Sequence, residues 1–344
     1  MNKKPRTLSC LTLAALCLRL SLLPAAELPS KPILRIETGM HMAAVRCIAT
    51  EPTGTKVLTC GDDKTAKLWT LGRGQASTLV RTFRIPISLG EEDSGNLVAC
   101  ALSPDGRIAA LGGYTSVGSN DGETSIYLFD TTSGEMKARL KGMQGAANSL
   151  AFSAQGRYLA ACIHGVGKLI VLDAATGVEV ARDAEYGRCA DWHGDTRIVG
   201  VSHEGKVRLF DFQDGRLLLR NQAGLSLQSS SLPTSVRFSP DGKRIALGFA
   251  NSIRVKVLSG VDLKLLPDPD VDTGVDKVDR GDLHCVAWNH DGSVLATAGN
   301  WWKNGSYLIR QWQKAGEGKP LDTAVAGDSI TDLRDIPTSA GGGF

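Results

Sequence analysis

The sequence predicts an all-β fold, a β-propeller, from three observations. First, one unit of sequence recurs: an apolar strand, a tight Gly turn, a second apolar strand, a polar turn, and a third strand ending in an apolar or aromatic residue before a polar one. The turn is SPDG at Ser103–Gly106 and at Ser239–Gly242, SAQG at Ser153–Gly156 and NHDG at Asn289–Gly292; EPTG (Glu51–Gly54) is a looser copy and Trp192–Asp195 a degenerate one. Second, the third strands end alike, in LWT (Leu68–Thr70), LFD (Leu128–Asp130 and Leu209–Asp211), VLD (Val171–Asp173), VKVL (Val255–Leu258) and RQW (Arg310–Trp312). Third, the unit returns every 40–50 residues or so with four short strands, the spacing of propeller blades. The 39 glycines and the 6% aromatic content suit short strands and tight turns.

Taken in order, the units fall at about 39–87, 95–143, 145–187, 188–232, 234–266 and 282–325. In each, strand a precedes the Gly turn, b and c follow, and d is the more polar outer strand. Ile33–Thr38 (ILRIET) precedes the first a-strand and reads as a d-strand, like Leu79–Phe83 (LVRTF). Ile330–Pro337 (ITDLRDIP) reads as an a-strand and its turn, followed by a Gly-rich tail at 338–344.

Residues 33–337 resemble the WD-repeat family. The first unit is the fullest copy: His41, Thr59, Asp63 and Trp69 match the positions at which that family carries a buried hydrogen-bonded set, so the resemblance implies a structural role for them and no catalytic one. Phe129, Leu172, Phe210 and Val257 stand where Trp69 stands, so the set is expected in the first unit alone. The family commonly closes its ring by pairing an N-terminal d-strand with C-terminal a, b and c strands. That habit implies a seven-bladed plan with blade seven incomplete, strand d coming from the N-terminus and strand a from the C-terminus. Open blade edges invite aggregation, so the chain reads as a piece of a longer one. The phrases PILRIETGMH, DDKTAKLW and ETSIYLFD are similar to those of exported bacterial WD-repeat proteins, some of which continue into a caspase-like peptidase domain; no such domain is read in this sequence.

Residues 1–26 have the order of a secretory signal peptide: Lys3, Lys4 and Arg6, then an apolar stretch from Leu8 to Leu23, then Pro24-Ala25-Ala26. The expected location is therefore exported, periplasmic or secreted. The segment carries four of the 39 basic residues and none of the 36 acidic ones, so the formal charge of +3 turns slightly negative without it. That balance argues against nucleic acid as a partner. No later run is long enough to span a membrane. Six of the eight cysteines lie beyond residue 26, mostly in strands, with no CxxC and no zinc spacing. Cys47 and Cys60 sit on consecutive strands of one hairpin, on faces expected to be opposite.

Function is expected where the repeat is broken. Extra length falls in the b–c turns at 112–124 and 299–306 and in the d–a connections at 86–95, 223–234 and 267–282, which emerge on one face. That face is acidic and aromatic: Glu91, Glu92, Asp93, Asp121, Glu123, Asp268, Asp270, Asp272 and Asp276, with Tyr114, Trp301 and Trp302. Such a surface suits a protein or peptide partner with a basic segment. The run Asp268-Pro-Asp270-Val-Asp272 lacks the glycine position and bidentate Glu of a calcium loop, so no metal and no cofactor is expected. Gly327-Asp328-Ser329 lacks the partner motif of a hydrolase, and no P-loop, HExxH or GxSxG occurs. The expected function is a non-catalytic binding scaffold. Two alternatives are the regulatory half of a protein with a downstream effector and an enzyme with a site in the propeller channel.

Overall fold

Four-residue to nine-residue runs of Val, Leu, Ile and Ala cannot bury both their faces within one hairpin, so they must stack sheet on sheet. The computed structural model shows that stacking. It describes residues 39–72, 75–86, 94–115, 124–165, 168–185, 187–225, 231–269, 282–303, 305–325 and 329–336. The expected signal segment, Ile33–Thr38 and the Gly-rich tail lie outside them. All the blades belong to the compact unit His41–Phe344.

Six antiparallel sheets follow one another along the chain. Blade one is β1 (Val45–Thr50), β2 (Lys56–Gly61), β3 (Thr65–Thr70) and β4 (Thr78–Arg84). Blade two is β5 (Leu97–Leu102), β6 (Ile108–Gly113), β7 (Thr124–Asp130) and β8 (Met136–Met143). Blade three is β9 (Ala147–Phe152), β10 (Tyr158–Ile163), β11 (Lys168–Asp173) and β12 (Glu179–Asp183). Blade four is β13 (Cys189–His193), β14 (Arg197–Val201), β15 (Lys206–Gln213) and β16 (Arg216–Gly224). Blade five is β17 (Leu232–Phe238), β18 (Arg244–Ala250) and β19 (Lys256–Ser259). Blade six is β20 (Cys285–Trp288), β21 (Leu295–Ala298), β22 (Trp302–Lys303), β23 (Ser306–Trp312) and β24 (Leu321–Val325). Each inner strand packs against the next, β1 on β5, β5 on β9, β9 on β13, β13 on β17 and β17 on β20. The result is an all-β propeller of six blades.

Two blades depart from the four-strand unit. In blade five the outer strand shrinks to one bridge, Leu258 to Leu265, with a second backbone bond from Leu266 N–H to the Val257 carbonyl. Pro267 and Pro269 follow at once, and neither has an N–H to extend the ladder. In blade six the expected b–c loop folds into its own hairpin, with β22 paired to β23.

The recurring Gly turns are held by their first side chain. Ser103 Oγ accepts the Ile108 N–H at 2.8 Å, and Gly106 N–H returns to the Ser103 carbonyl at 2.7 Å. Ser239 repeats this with Arg244 N–H at 2.9 Å, and Asn289 Oδ1 takes the Val294 N–H at 2.8 Å. Gly242 has a φ of +67°, which glycine adopts without strain, and a Cβ there would also displace the ends of the Arg197 and His193 side chains, 2.3 and 2.5 Å away. Glu51 serves in blade one. Burial pushes its carboxyl up, but the Thr53 and Thr55 hydroxyls and the Thr53, Thr55 and Lys56 amides outweigh burial and hold it at about 2.

Between blades six and one runs Ile330–Ile336. Ile330 N–H bonds the Gly299 carbonyl of blade six, and Leu333 packs on Cys285, Ala287, Ala296 and Ala298. On the other side Thr331 Oγ1 donates to the Val45 carbonyl at 2.6 Å, and Asp332 Oδ2 accepts the Ile48 N–H at 3.2 Å. The segment thus occupies the inner-strand place between the last blade and the first.

Candidate functional site

The first-unit set comes together in blade one. Trp69 Nε1–H donates to Thr59 Oγ1 at 2.9 Å, and Thr59 Oγ1 lies 2.8 Å from His41 Nε2. His41 Nδ1 is 2.9 Å from Asp63 Oδ2, while Asp63 Oδ1 accepts the Thr65 hydroxyl at 2.7 Å. With the Trp69 N–H pointing at the Thr59 oxygen, the Thr59 hydroxyl proton has two acceptors in reach, His41 Nε2 and the Lys67 carbonyl at 3.4 Å. Burial pushes Asp63 up, but Thr65, the Met42 amide and His41 outweigh it and leave its carboxyl below the usual range. Nothing in this chain of bonds is left free to act on a substrate. Replacing Thr59 by valine should cost about 1–3 kcal/mol, since both ring partners then lose a buried bond; urea unfolding of T59V checks this, and an unchanged midpoint would sink it.

The expected acidic face is only partly placed. Glu91, Glu92, Asp93, Asp121, Glu123, Asp270, Asp272 and Asp276 lie outside the described residues. Tyr114 is 45% exposed. Asp268 is paired with Lys256. Trp301 must be taken off the surface: it is 2% exposed, inside the blade-five and blade-six core, with the Arg310 guanidinium 4.3 Å over its ring. Its neighbour Trp302 alternates outward, half-buried and edge-on to Tyr307.

The opposite end of the channel, ringed by the a–b turns, holds a cavity of about 600 Å³. Apolar walls come from Pro52, Leu102, Pro104, Phe152, Phe238 and Trp288, and charge from Asp191, Arg237, Arg334, Asp335 and His290. Asp191 Oδ2 accepts the Phe238 N–H at 2.8 Å; burial, only partly offset by Arg237, pushes its carboxyl up. Arg237 Nη1 donates to the Val236 carbonyl at 2.8 Å. Arg334 Nη1 donates to Asp332 Oδ1 and to the Leu333 carbonyl, both at 2.8 Å. Burial works against the Arg334 charge, and Asp332 together with Cys47, Cys100 and Asp191 more than offsets it; burial raises Asp332 itself to about 6. Asp335 differs from all of these. Its side chain is 8% exposed, neither carboxylate oxygen has a hydrogen-bond partner among the described residues, and the His290 ring Nδ1 lies 3.8 Å away. Burial pushes its pKa up, against the lowering pull of the nearby His290 and Ile336 amides.

Above the cavity, the inner strands are stitched by side chains. Four residues before each a–b turn stand Cys47, Ser149, Ser235 and Asp332. Cys47 Sγ accepts the Cys100 N–H at 3.3 Å, Ser149 Oγ the Ala190 N–H at 3.4 Å, Ser235 Oγ the Val286 N–H at 3.4 Å, and Asp332 Oδ2 the Ile48 N–H. Sequence reasoning missed both this girdle and the cavity. The signal was a column of small polar residues in otherwise apolar strands.

Cys47 and Cys60 require a second correction. They are direct cross-strand partners, so they share a face. All six described cysteines are free thiols. Among the described residues no group of His, Cys, Asp or Glu is arranged to hold a metal ion, and no helix is long and apolar enough to cross a membrane.

Against known proteins, residues 34–70 match the family described as WD domain, G-beta repeat. Over 120 residues the chain is 29% identical to the WD40 repeat-containing protein HOS15 of Arabidopsis thaliana, covering 35% of this chain and 18% of that protein. Together with the six blades, these likenesses support a WD-repeat propeller, a class of fold that generally serves as a non-catalytic scaffold binding other proteins.

Proposed function

We propose that this propeller is a non-catalytic scaffold for a protein or peptide, and that a basic side chain of the partner enters the channel to meet Asp335. The observation that carries this reading is a carboxylate, buried in the wall of a cavity of about 600 Å³, whose oxygens have no hydrogen-bond partner among the described residues. A buried ion left unpaired costs several kcal/mol, roughly what an incoming ammonium or guanidinium would restore. Three carboxyls line the cavity, Glu51, Asp191 and Asp335, against two arginines, Arg237 and Arg334, which favours a cationic guest. The apolar rim of Pro52, Pro104, Phe238 and Trp288 suits the guest's aliphatic stem.

Isothermal titration with an Arg-rich decapeptide and a Glu-rich one tests this. The basic peptide should bind, and Asp335→Asn should weaken it at least tenfold while raising the melting temperature, because the variant no longer buries a charge. Affinity should also fall on acidification. The raised pKa of Asp335 means that it takes up its proton earlier than an exposed carboxyl, and the neutral form has no ion pair to offer. Equal binding of the acidic peptide, or no effect of D335N, would overturn the assignment.

The other features of the reading belong to the same proposal. In this reading the acidic loops, with Tyr114 and Trp302, serve as a second docking face. The first 26 residues serve in it as an export signal. The plan of the chain is seven-bladed, supported by the place of Asp332: it bonds blade one as Ser235 bonds blade six, so Ile330–Ile336 acts as the a-strand of a further blade.

A further inference from the structure

Three thiols meet where blade one faces blade two. Cys60 and Cys100 are fully buried, and Cys47 is half-buried at the channel wall. Cys47 and Cys60 are paired directly across the first hairpin, beside a register shift between Val45 and Cys47. Directly opposed antiparallel residues have Cα atoms about 4.5 or 5.5 Å apart, and both separations lie inside the range of about 4.4–6.8 Å that a disulfide spans. The bulge supplies the freedom to draw the two Cβ atoms together.

We propose that Cys47 and Cys60 form a thiol–disulfide pair, with Cys47 as the attacking thiol and a small-molecule or protein disulfide as the oxidant. Cys47 is the member that an oxidant can reach. The Cys100 thiol and then the Cys60 thiol hold its pKa well below the usual thiol range, while burial pushes Cys60 and Cys100 well above it. The Cys47 thiolate attacks one sulfur of the oxidant, forms a mixed disulfide and releases one thiol. Cys60, losing its proton, then attacks the Cys47 sulfur and releases the second. Two protein thiols give up two protons and two electrons, and the oxidant becomes two thiols.

The bond would also alter ring closure. In the reduced form Cys47 Sγ lies 3.4 Å from Asp332 Oδ2, the acceptor of the Ile48 N–H. Oxidation replaces that sulfur contact with a disulfide beside the segment joining blade six to blade one.

Peptide mapping of the full chain after oxidised glutathione tests the proposal. Trypsin places Cys47 in 47–56 and Cys60 in 57–64. The expected product is these two peptides joined, about 2 Da lighter than their sum, and formed, more slowly, in Cys100→Ala as well. A Cys47–Cys100 link, or full alkylation of both Cys47 and Cys60 after the oxidant, would overturn it.

Discussion

Replacing Trp301 by alanine should destabilise the propeller by about 3–5 kcal/mol, the range for emptying a buried Trp site. The indole is 2% exposed and packs in one cluster with Val257, Trp288, Leu295, Leu308 and Trp312. The change removes more than volume. Arg310, itself 4% exposed, lies over the indole face and makes a two-pronged contact with Asp322, 2.7 Å at each oxygen. Without the ring, that guanidinium borders a void. Guanidinium unfolding of W301A and W302A separates the two positions: W301A should move the midpoint strongly and W302A little. A loss in W301A below about 1 kcal/mol, typical of surface sites, would mean that the indole is not part of the core.

Asp332→Ala should cost a similar amount, about 3–5 kcal/mol, because it leaves the Arg334 charge buried without its partner. It also strips an acceptor from Ile48 N–H and Leu333 N–H. Asp332→Asn keeps an acceptor in place and should cost less. The two variants part further with pH. Burial raises Asp332 to about 6, above its value in the unfolded chain, so the native state holds its proton more tightly. Its contribution to stability is therefore full below about pH 4 and lost as pH rises through about 6. Unfolding free energies between pH 4 and 7 should show that decline in the wild type and a flatter profile in D332N. The same slope in both proteins would assign the decline to other groups.

What the sequence revealed was what is local. The turn from Ser103 to Ile108 closes through bonds spanning five residues, and every copy of it announces itself in one string of letters. The same holds for the blade-one set, because His41, Thr59, Asp63 and Trp69 all fall within one unit. Blade five lost its outer strand for a reason already visible in Pro267 and Pro269. Yet that reason competed with a repeat pattern that asked for a fourth strand. Trp301 and Trp302 posed a question of parity: adjacent residues face opposite ways, and which one turns inward depends on the register of β22 against β23. The cavity was out of reach for another reason. Asp191, Arg237, Arg334 and Asp335 come from different units and meet only when the ring forms, so no spacing betrays them. Cys47 and Cys60 show the cost of one bulge, which moved them from the expected opposite faces onto the same one.

The stitching of the inner strands has a sense of rotation. At each such junction, the earlier member offers the side-chain acceptor and the later one the N–H: Cys47 to Cys100, Ser149 to Ala190, Ser235 to Val286, and Asp332 round to Ile48. A blade so equipped resembles a link with a hook at one end and an eye at the other. Links of that kind join head to tail and never head to head, so whole units can be gained or lost with no new chemistry. Such a ring shuts at any count for which the final hook, here Asp332, arrives at the first eye.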